Sequence, residues 1–578
     1  MMDLLFLQVL SFLLVLVGLV WAISPLRRFA WLVSLAIPLT CIGWTFLSPG
    51  EITPAPWFLM GAHFGLDAIG RPLLALTASI WFAAGIYSRG YLKSQPDSRF
   101  YWFFFSLTMA GNLGLLAALD AGSYLTWYTM MSVAAYGLII HDRKPASIRA
   151  GRVYMALTVL GEMLIFAGIA FAVRDSASLL FEDIRRGVAE SPNKTLVGFL
   201  ILTGFGIKLG VMPLHFWLPL AHPAAPTPAS AVLSGVMIKT GLVGMLRVLP
   251  FGDAGFELLG PTMIVAGLGT AFLAAIFGTT QSNIKAVLAY SSVSQMGLVT
   301  TAAGAALLEP GLWIALAPAL LWFVLHHAVA KVALFMGCGV VGFPAGSAAR
   351  RIAITAGLGL AALSIAGLPL TTGFVAKQGL KSALGQSAWG SIFDTLLPLT
   401  GITTTLLMAR FLYLARPKNS DSPDRLPFSM LATWGILTAG AGINWIWAQP
   451  AGIVSKDWLK FTPTYVWTGL WPILGAALLA AALLRLSPVR KRLSRIEVPQ
   501  GDLVVPISFA VRGVLRALAQ AGRCSQACSA SMRQRLSGHI RDWPRLPASR
   551  LAAWLESEYA LLPLLCAISL LMVAILLA

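Results

Sequence analysis

Residues 208–247 read KLGVMPLHFWLPLAHPAAPTPASAVLSGVMIKTGLVGMLR, and this stretch decides the fold. It predicts an apolar helix that carries Lys208 and breaks near Pro213. A proline-rich loop with His222 follows, and then a second apolar helix with Lys239. A lysine at the middle of a membrane helix costs ~2.5–3.5 kcal/mol, and a broken membrane helix is tolerated only where protein or water covers its freed backbone. The stretch therefore predicts a membrane protein with a buried polar path for ions.

The composition of the whole chain is that of a polytopic membrane protein. Of its 578 residues, 57% are hydrophobic and 11% are charged, and the mean hydropathy is +0.78. The net charge of +19 comes from short loops and one late segment, so it indicates membrane orientation and contact with anionic lipids, not nucleic-acid binding. Five scattered cysteines lack the spacing of a metal or cluster site. We expect no cofactor, no metal and no redox centre in this chain.

The apolar runs predict an all-α membrane protein with about sixteen transmembrane helices. The run that starts at Leu4 lacks a basic flank and a cleavage site, so it is interpreted as the first span and not as a signal peptide. Polar loops are expected at 48–70 and 174–195. The predicted spans are 4–22, 29–47, 71–92, 101–119, 123–140, 153–173, a broken span from about 196, 228–249, 260–279, 284–305, 313–341, 352–385, 391–414, 428–447, 467–486 and 560–577.

Two interrupted spans suggest an internal symmetry. PLHFWLP (213–219) and GLPLTTG (367–373) lie five spans apart, and an odd offset reverses the direction through the membrane. This pattern predicts two inverted five-helix repeats, with ordinary proline kinks as the alternative. The expected segments are helices 1–3 (residues 1–99), the first repeat (100–250), the second repeat (251–415), helices 14–15 (416–486), a basic amphipathic segment (487–559) and a final helix (560–578).

Basic residues predict the orientation. When the spans alternate, all the Lys- and Arg-rich loops fall on one side of the membrane: 27–28, 89–99, 143–152, 350–351, 416–425 and 485–495. The positive-inside rule then places both termini on the outer face of a bacterial inner membrane. Residues 509–536 space arginines among apolar residues, which is typical of a helix that lies on a membrane face or along neighbouring helices. A solvated helix is the alternative.

Few ionisable side chains fall inside the predicted spans. His327 and Lys331 are four residues apart and share a helix face. Lys377 follows the second break, and Glu162 lies in span six. A buried lysine loses hydration and responds to neighbouring charge, and histidine titrates near neutral pH. Linked by water, such groups could pass protons without a metal, phosphate or nucleophile.

The motifs around these residues resemble a known family. HPAAPTPASAVLSGVMIKTG (222–241) and QSNIKAVLAYSSVSQMG (281–297) are similar to the antiporter-like membrane subunits of respiratory complex I, Mrp cation/proton antiporters and membrane-bound hydrogenases. The hydrogenase-4 and formate hydrogenlyase large membrane subunit is the most similar type. Asn283 stands where an aspartate is usual. The resemblance implies the following roles: Lys208 is the central lysine, Lys239 the bridging lysine, His327 and Lys331 the HAxxK motif, and Lys377 the terminal lysine.

One departure from the family concerns the acid that partners the first lysine. The family carries a glutamate in a WExMS-like context in span five, but this chain reads LTWYTMMSVAAYGLI (125–139), with Tyr128 or Thr129 in that place. Glu162 is the candidate substitute. The alternative is that Glu162 is a helix-end residue that only bonds to backbone or to an arginine. His215 and His222 are candidates for the path, or satisfy backbone at the first break.

The expected function is proton translocation by one subunit of a larger membrane complex. The resemblance implies partner membrane subunits and peripheral redox or uptake subunits, and it places redox chemistry in those partners. Two alternatives remain open: a structural membrane anchor that does not conduct, and the membrane subunit of a two-component inorganic-carbon or Na⁺/H⁺ transport system.

Overall fold

The computed structural model describes residues 30–48, 50, 52–56, 61–93, 98–344, 346–417, 426–448, 456–459, 462–485 and 498–501. The predicted first span, the amphipathic pattern at 509–536 and the final span lie outside these residues. The helices belong to the first of two structural units, residues 1–500; of the second, 501–578, only Gly501 is described.

The described chain is almost entirely helical. Each predicted span from the second to the fifteenth overlaps a helix or an interrupted helix, and eight of the described segments are long and apolar enough to cross a membrane. The helices are α1 (Ala30–Leu47), α2 (Gly70–Tyr91), α3 (Arg99–Ala117), α4 (Ala121–Ile139), α5 (Pro145–Ser176), α6 (Phe181–Glu190), α7 (Lys194–Leu209), α8 (Trp217–Ala224), α9 (Thr227–Gly235), α10 (Thr240–Val248), α11 (Leu259–Thr279), α12 (Ile284–Leu308), α13 (Trp313–Val340), α14 (Ala348–Ala366), α15 (Thr372–Leu384), α16 (Gly390–Leu414), α17 (Phe428–Ile443), α18 (Trp445–Ala448) and α19 (Pro463–Arg485).

Both predicted breaks are present. α7 ends at Leu209, and Gly210 follows in the left-handed region with φ 78°, which glycine adopts without steric cost. The chain then turns through a cis Met212–Pro213 bond before α8 begins. α14 ends in the same way, with Gly367 at φ 92°. α15 starts after Thr371, whose hydroxyl oxygen accepts a hydrogen bond from the backbone of Phe374.

The structure adds a third break, in predicted span eight. α9 ends at Gly235, a short 3₁₀ turn covers Met237–Lys239, and α10 then begins. Predicted span eight (228–249) is present as the helical segment Thr227–Val248, with an interruption before Lys239 that the sequence did not predict. The placement of His222 in a loop was wrong, because α8 continues to Ala224.

Two predicted loops contain regular structure. Residues 48–70 include an antiparallel pair, β1 (Thr53–Ala55) and β2 (Ala62–Phe64). Residues 174–195 include α6, which buries Phe181 and two further apolar side chains on one face. Single bridges tie β2 to the end of α3 and the start of α4 to Leu180. The sequence predicted a loop at 174–195 because α6 is a short amphipathic helix and lacks the long apolar run that identifies a membrane helix.

Candidate functional site: buried lysines at helix breaks

Lys208 lies in the last turn of α7 and is only 4% exposed. Its ammonium nitrogen donates to the hydroxyl of Ser132 on α4 at 2.8 Å and, at 3.4 Å, to the hydroxyl of Tyr154 on α5. It also lies 5.4 Å and 5.5 Å from the ring centroids of Tyr128 and Tyr154. No carboxylate of the described residues lies within 4 Å of it. Hydroxyl and aromatic groups therefore stabilise this charge.

Glu162 lies in the middle of α5, beside the Lys208 site. One carboxylate oxygen accepts a 3.0 Å hydrogen bond from the hydroxyl of Thr129, which with Tyr128 is one of the two positions at which the family resemblance places an acid. The other oxygen is buried and has no hydrogen-bond partner in the described part of the chain. The carboxyl also interacts with the Ser132 hydroxyl and with the Lys208 charge. The next helix thus supplies a carboxylate that points to the position of the missing acid.

A small cavity adjoins Lys208. Its volume is about 10 Å³, and its lining includes Tyr128, Thr158 and Trp217. A space of this size holds about one water molecule.

The ammonium groups of three other lysines donate to carbonyls at the carboxyl ends of helices. The ammonium of Lys239 donates to the carbonyl of Ser234 at 2.5 Å, that of Lys377 to Ala366 at 3.0 Å, and that of Lys285 to Ala225 at 2.7 Å. These carbonyls belong to the ends of α9, α14 and α8. The last carbonyls of a helix lack intrahelical partners and carry the negative end of its dipole. The helix breaks therefore supply countercharge to lysines that have no carboxylate within 4 Å among the residues described.

The centre of the molecule holds a cluster of lysines and histidines. Lys331 donates to the carbonyl of Leu288 on α12 at 3.0 Å. His327 lies one turn earlier on α13, and His222 stacks on Phe335 with a centroid distance of 4.5 Å. Neither imidazole has a hydrogen-bond partner in the described residues. The charges of Lys239 and Lys331 act on both rings, so the structure brings these four predicted residues together.

The remaining predicted residues lie at the edges of this cluster. His215 lies in the turn of the first break, with its ring centroid 5.9 Å from that of Tyr290. Lys377 lines a cavity of about 60 Å³ with Gln378, which donates to the hydroxyl of Thr468. Hydrogen bonds do not join Lys208, the central cluster and Lys377 into one continuous chain within the described structure, so a proton path between them needs water.

Sequence reasoning missed His326. This buried imidazole responds to the charges of both Lys377 and Lys239. It also faces the second break, because a Cβ built on Gly373 would lie 2.7 Å from its Nε2. The adjacent histidines in LHHAVAK were the available signal. The described residues contain no group of three or more His, Cys, Asp or Glu side chains arranged to hold a metal.

Comparison with known proteins identifies the family. Residues 121–403 match the family described as "NADH:quinone oxidoreductase/Mrp antiporter, TM". Hydrogenase-4 component B of Escherichia coli is 28% identical over 65% of this chain and 61% of its own length. NADH-quinone oxidoreductase subunit N of Desulforudis audaxviator is 29% identical over 68% of this chain and 82% of its own length. The middle of the chain, residues 121–403, is thus similar to the antiporter-like family of membrane subunits.

The family resemblance found in the sequence is therefore confirmed. The antiporter-like chain also shares the fold of a chain in the Mrp complex from Dietzia, with a TM-score of 0.72 and 21% identity over 93% of this chain and 64% of that one. An uncharacterized protein of Mycobacterium tuberculosis is 32% identical over 62% of this chain. This chain covers 58% of that relative and 61% of hydrogenase-4 component B, or about three-fifths of their lengths.

Proposed function

We propose that this antiporter-like chain translocates protons as one subunit of a multi-subunit membrane complex. The observation that supports this most is the set of buried lysines: Lys208, Lys239, Lys331 and Lys377 hydrogen-bond only to hydroxyls or carbonyls. A lysine paired with a carboxylate would hold its proton, whereas none of these four has a carboxylate within 4 Å among the described residues. The charges of Lys239, Lys331 and Lys377 also act on buried histidines. Such groups are suited to pass a proton when a neighbouring charge changes.

The complete chain, in this proposal, has about sixteen membrane helices with two inverted repeats. Both termini lie on the outer face of a bacterial inner membrane. The partners are other membrane subunits and peripheral redox subunits, as in complexes of the hydrogenase-4, formate hydrogenlyase or complex I type. Hydrogenase-4 component B and NADH-quinone oxidoreductase subunit N are parts of such assemblies by their names, which supports a partnered role.

Glu162 takes the role of the missing acid in this mechanism. The Thr129 hydroxyl fixes one carboxylate oxygen, and Ser132 lies between the carboxyl and the ammonium of Lys208. A proton that reaches Glu162 would weaken its attraction for the Lys208 charge. Lys208 would then release its proton more readily toward the central cluster, with water and hydroxyls bridging the gap.

An acid-swap experiment tests this function. Proton uptake is measured in proteoliposomes that hold the purified whole complex, with Lys208→Ala, with Glu162→Gln, and with Glu162→Gln combined with Thr129→Glu. Both single changes should abolish uptake while the complex stays assembled. The combined change should restore it, because it returns a carboxylate to α4 beside Ser132. Glu190→Gln, an exposed acid at the end of α6, is the matched control.

The outcomes separate the alternatives. Uptake that survives both single changes would contradict conduction and favour a structural anchor, which the missing span-five acid already suggests. Loss with Lys208→Ala alone would leave Glu162 as a structural residue. Sodium uptake by the same vesicles, or bicarbonate uptake with a soluble partner, would instead place the chain in a two-component transport system.

A further inference from the structure

A wide cavity opens away from the central lysines and histidines. Its volume is about 580 Å³, and residues from five separate parts of the chain line it: Tyr91 at the end of α2, Phe100 at the start of α3, the turn 141–144 between α4 and α5, residues 223–226 at the end of α8, and Lys285 at the start of α12. We call this cavity the basic vestibule. It lies on the face that carries the Lys- and Arg-rich loops.

The basic vestibule has an excess of positive charge. Arg143, Lys144 and Lys285 line it with one carboxylate, Asp142. That carboxylate is already engaged, since it accepts from the backbone of Lys144 at 3.1 Å and pairs with the Lys144 ammonium at 3.2 Å. Burial alone would raise the pKa of Asp142, but hydrogen bonds from Ser147 and Lys144 lower it below its ordinary value. Asp142 therefore pairs with Lys144 and acts on Lys285 only from a distance, and neither Arg143 nor Lys285 has a carboxylate within 4 Å among the described residues.

Arg143 is held in a geometry suited to an anion. Its backbone adopts the left-handed region with φ 54°, and its N–H closes a turn on the carbonyl of Ile140 at 2.8 Å. A non-glycine residue pays a steric cost in this conformation. The guanidinium lies 4.9 Å from the ring centroid of Phe100. Phe100 thus lies against the guanidinium, whose fork of N–H groups suits an acceptor that offers two oxygens, such as a phosphate.

We propose that the basic vestibule binds a phosphate-class anion, and that its occupant is the phosphodiester headgroup of an anionic phospholipid. Arg143 provides the forked donors, and Lys285 provides the second positive charge at the inner wall. Phe100 is half exposed, so an apolar surface for acyl chains adjoins the charged wall. Basic pockets between membrane helices on the positively charged face bind such headgroups. This inference does not depend on proton translocation.

Lipid binding to the purified, delipidated complex tests the proposal. Native mass spectrometry would count bound lipid during titration with phosphatidylglycerol, phosphatidylcholine or inorganic phosphate. We expect saturable binding of phosphatidylglycerol in preference to phosphatidylcholine. Arg143→Gln should weaken it roughly tenfold or more, as expected for the loss of a charge-assisted hydrogen bond. Arg350→Gln, an exposed arginine on the same predicted face but outside the vestibule, should leave it unchanged.

Three results would count against the assignment. Equal binding of the two lipids, or equal weakening by Arg143→Gln and Arg350→Gln, would overturn the site. Binding of inorganic phosphate alone, lost in Arg143→Gln, would keep the anion site but overturn the lipid as its occupant. If Arg143→Gln proves unstable, phosphatidylglycerol binding is measured with Lys285→Gln instead. An unchanged Tm shows that a variant is folded.

Discussion

At the residue scale, a hydroxyl occupies the position between a buried ammonium and a buried carboxyl. Ser132 accepts from Lys208, interacts with Glu162, and offers its backbone carbonyl to the Tyr154 hydroxyl at 2.8 Å. The tyrosine bond fixes the backbone, so the serine side chain can change its hydrogen bond without a movement of the helix. Under the proposed function, loss of the Ser132 hydroxyl should therefore affect proton transfer more than folding.

Ser132→Ala should therefore slow proton uptake by roughly tenfold or more, since a hydrogen bond to a charged group contributes about 1.5–3 kcal/mol. Ser132→Thr, which keeps the hydroxyl, should retain most of the uptake. Both are measured in proteoliposomes with the whole complex. The matched control is Ser79→Ala on the exposed face of α2, where the hydroxyl only bonds the carbonyl one turn earlier. Normal uptake by Ser132→Ala would show that water alone connects Lys208 and Glu162.

At the scale of the element, a helix break and a lysine depend on each other. Lys377 bonds the last carbonyl of α14, and Gly367, next in sequence, has a left-handed φ of 92°. A Cβ on Gly367 would lie 3.0 Å from the Cδ of Lys377. Glycine at position 367 thus permits the left-handed turn and leaves space for the Lys377 side chain. A lysine also bonds a carbonyl beside the helix break at the ends of α8 and α9.

Gly367→Ala should lower stability by about 1–2 kcal/mol from the left-handed conformation alone, and it should displace Lys377 and reduce proton uptake. Gly359→Ala in the same helix is the matched control, because a Cβ there meets no atom within 4 Å. Alanine is more favourable than glycine in a helix interior, so Gly359→Ala should be neutral or slightly stabilising. Thermal unfolding and uptake are measured together. Equal behaviour of the two variants would contradict the link between the break and the lysine.

The elements also show what the sequence could and could not predict. The helices of membrane-spanning length were predictable because each is a continuous apolar run. The first and second breaks were predictable because Pro213 and Pro369 mark them. The third break was not, since Val236 to Lys239 contains neither proline nor glycine and its 3₁₀ turn depends on tertiary contacts. The sequence could only suggest that Glu162 replaces the missing acid. Whether Glu162 reaches Thr129 depends on how α4 and α5 are rotated relative to each other, which the sequence does not show.

At the scale of the whole molecule, one buried arginine ties four parts of the chain together. Arg247 of α10 is 1% exposed, and its Nη2 donates to the carbonyl of Leu116 at the end of α3 at 2.8 Å. The same nitrogen lies 3.6 Å from the carboxylate of Asp67, before α2, and the guanidinium lies 5.6 Å from the ring centroid of Phe181 on α6. Arg247 therefore connects α10, which follows Lys239, to the end of α3, to the segment between β2 and α2, and to α6.

Arg247→Met should destabilise the molecule, because it leaves a buried carbonyl without its donor, at about 1–3 kcal/mol. Asp67→Asn should cost less, since Asp67 is one-third exposed and water replaces part of its lost partner. Arg247→Lys should fall between them, because it keeps the charge but not the planar fork. The Tm of the purified complex gives the order, with Arg186→Met on the exposed face of α6 as control, where surface pairs with Glu182 and Asp183 contribute little. An Arg247→Met complex as stable as this control would mean that packing alone holds these four parts together.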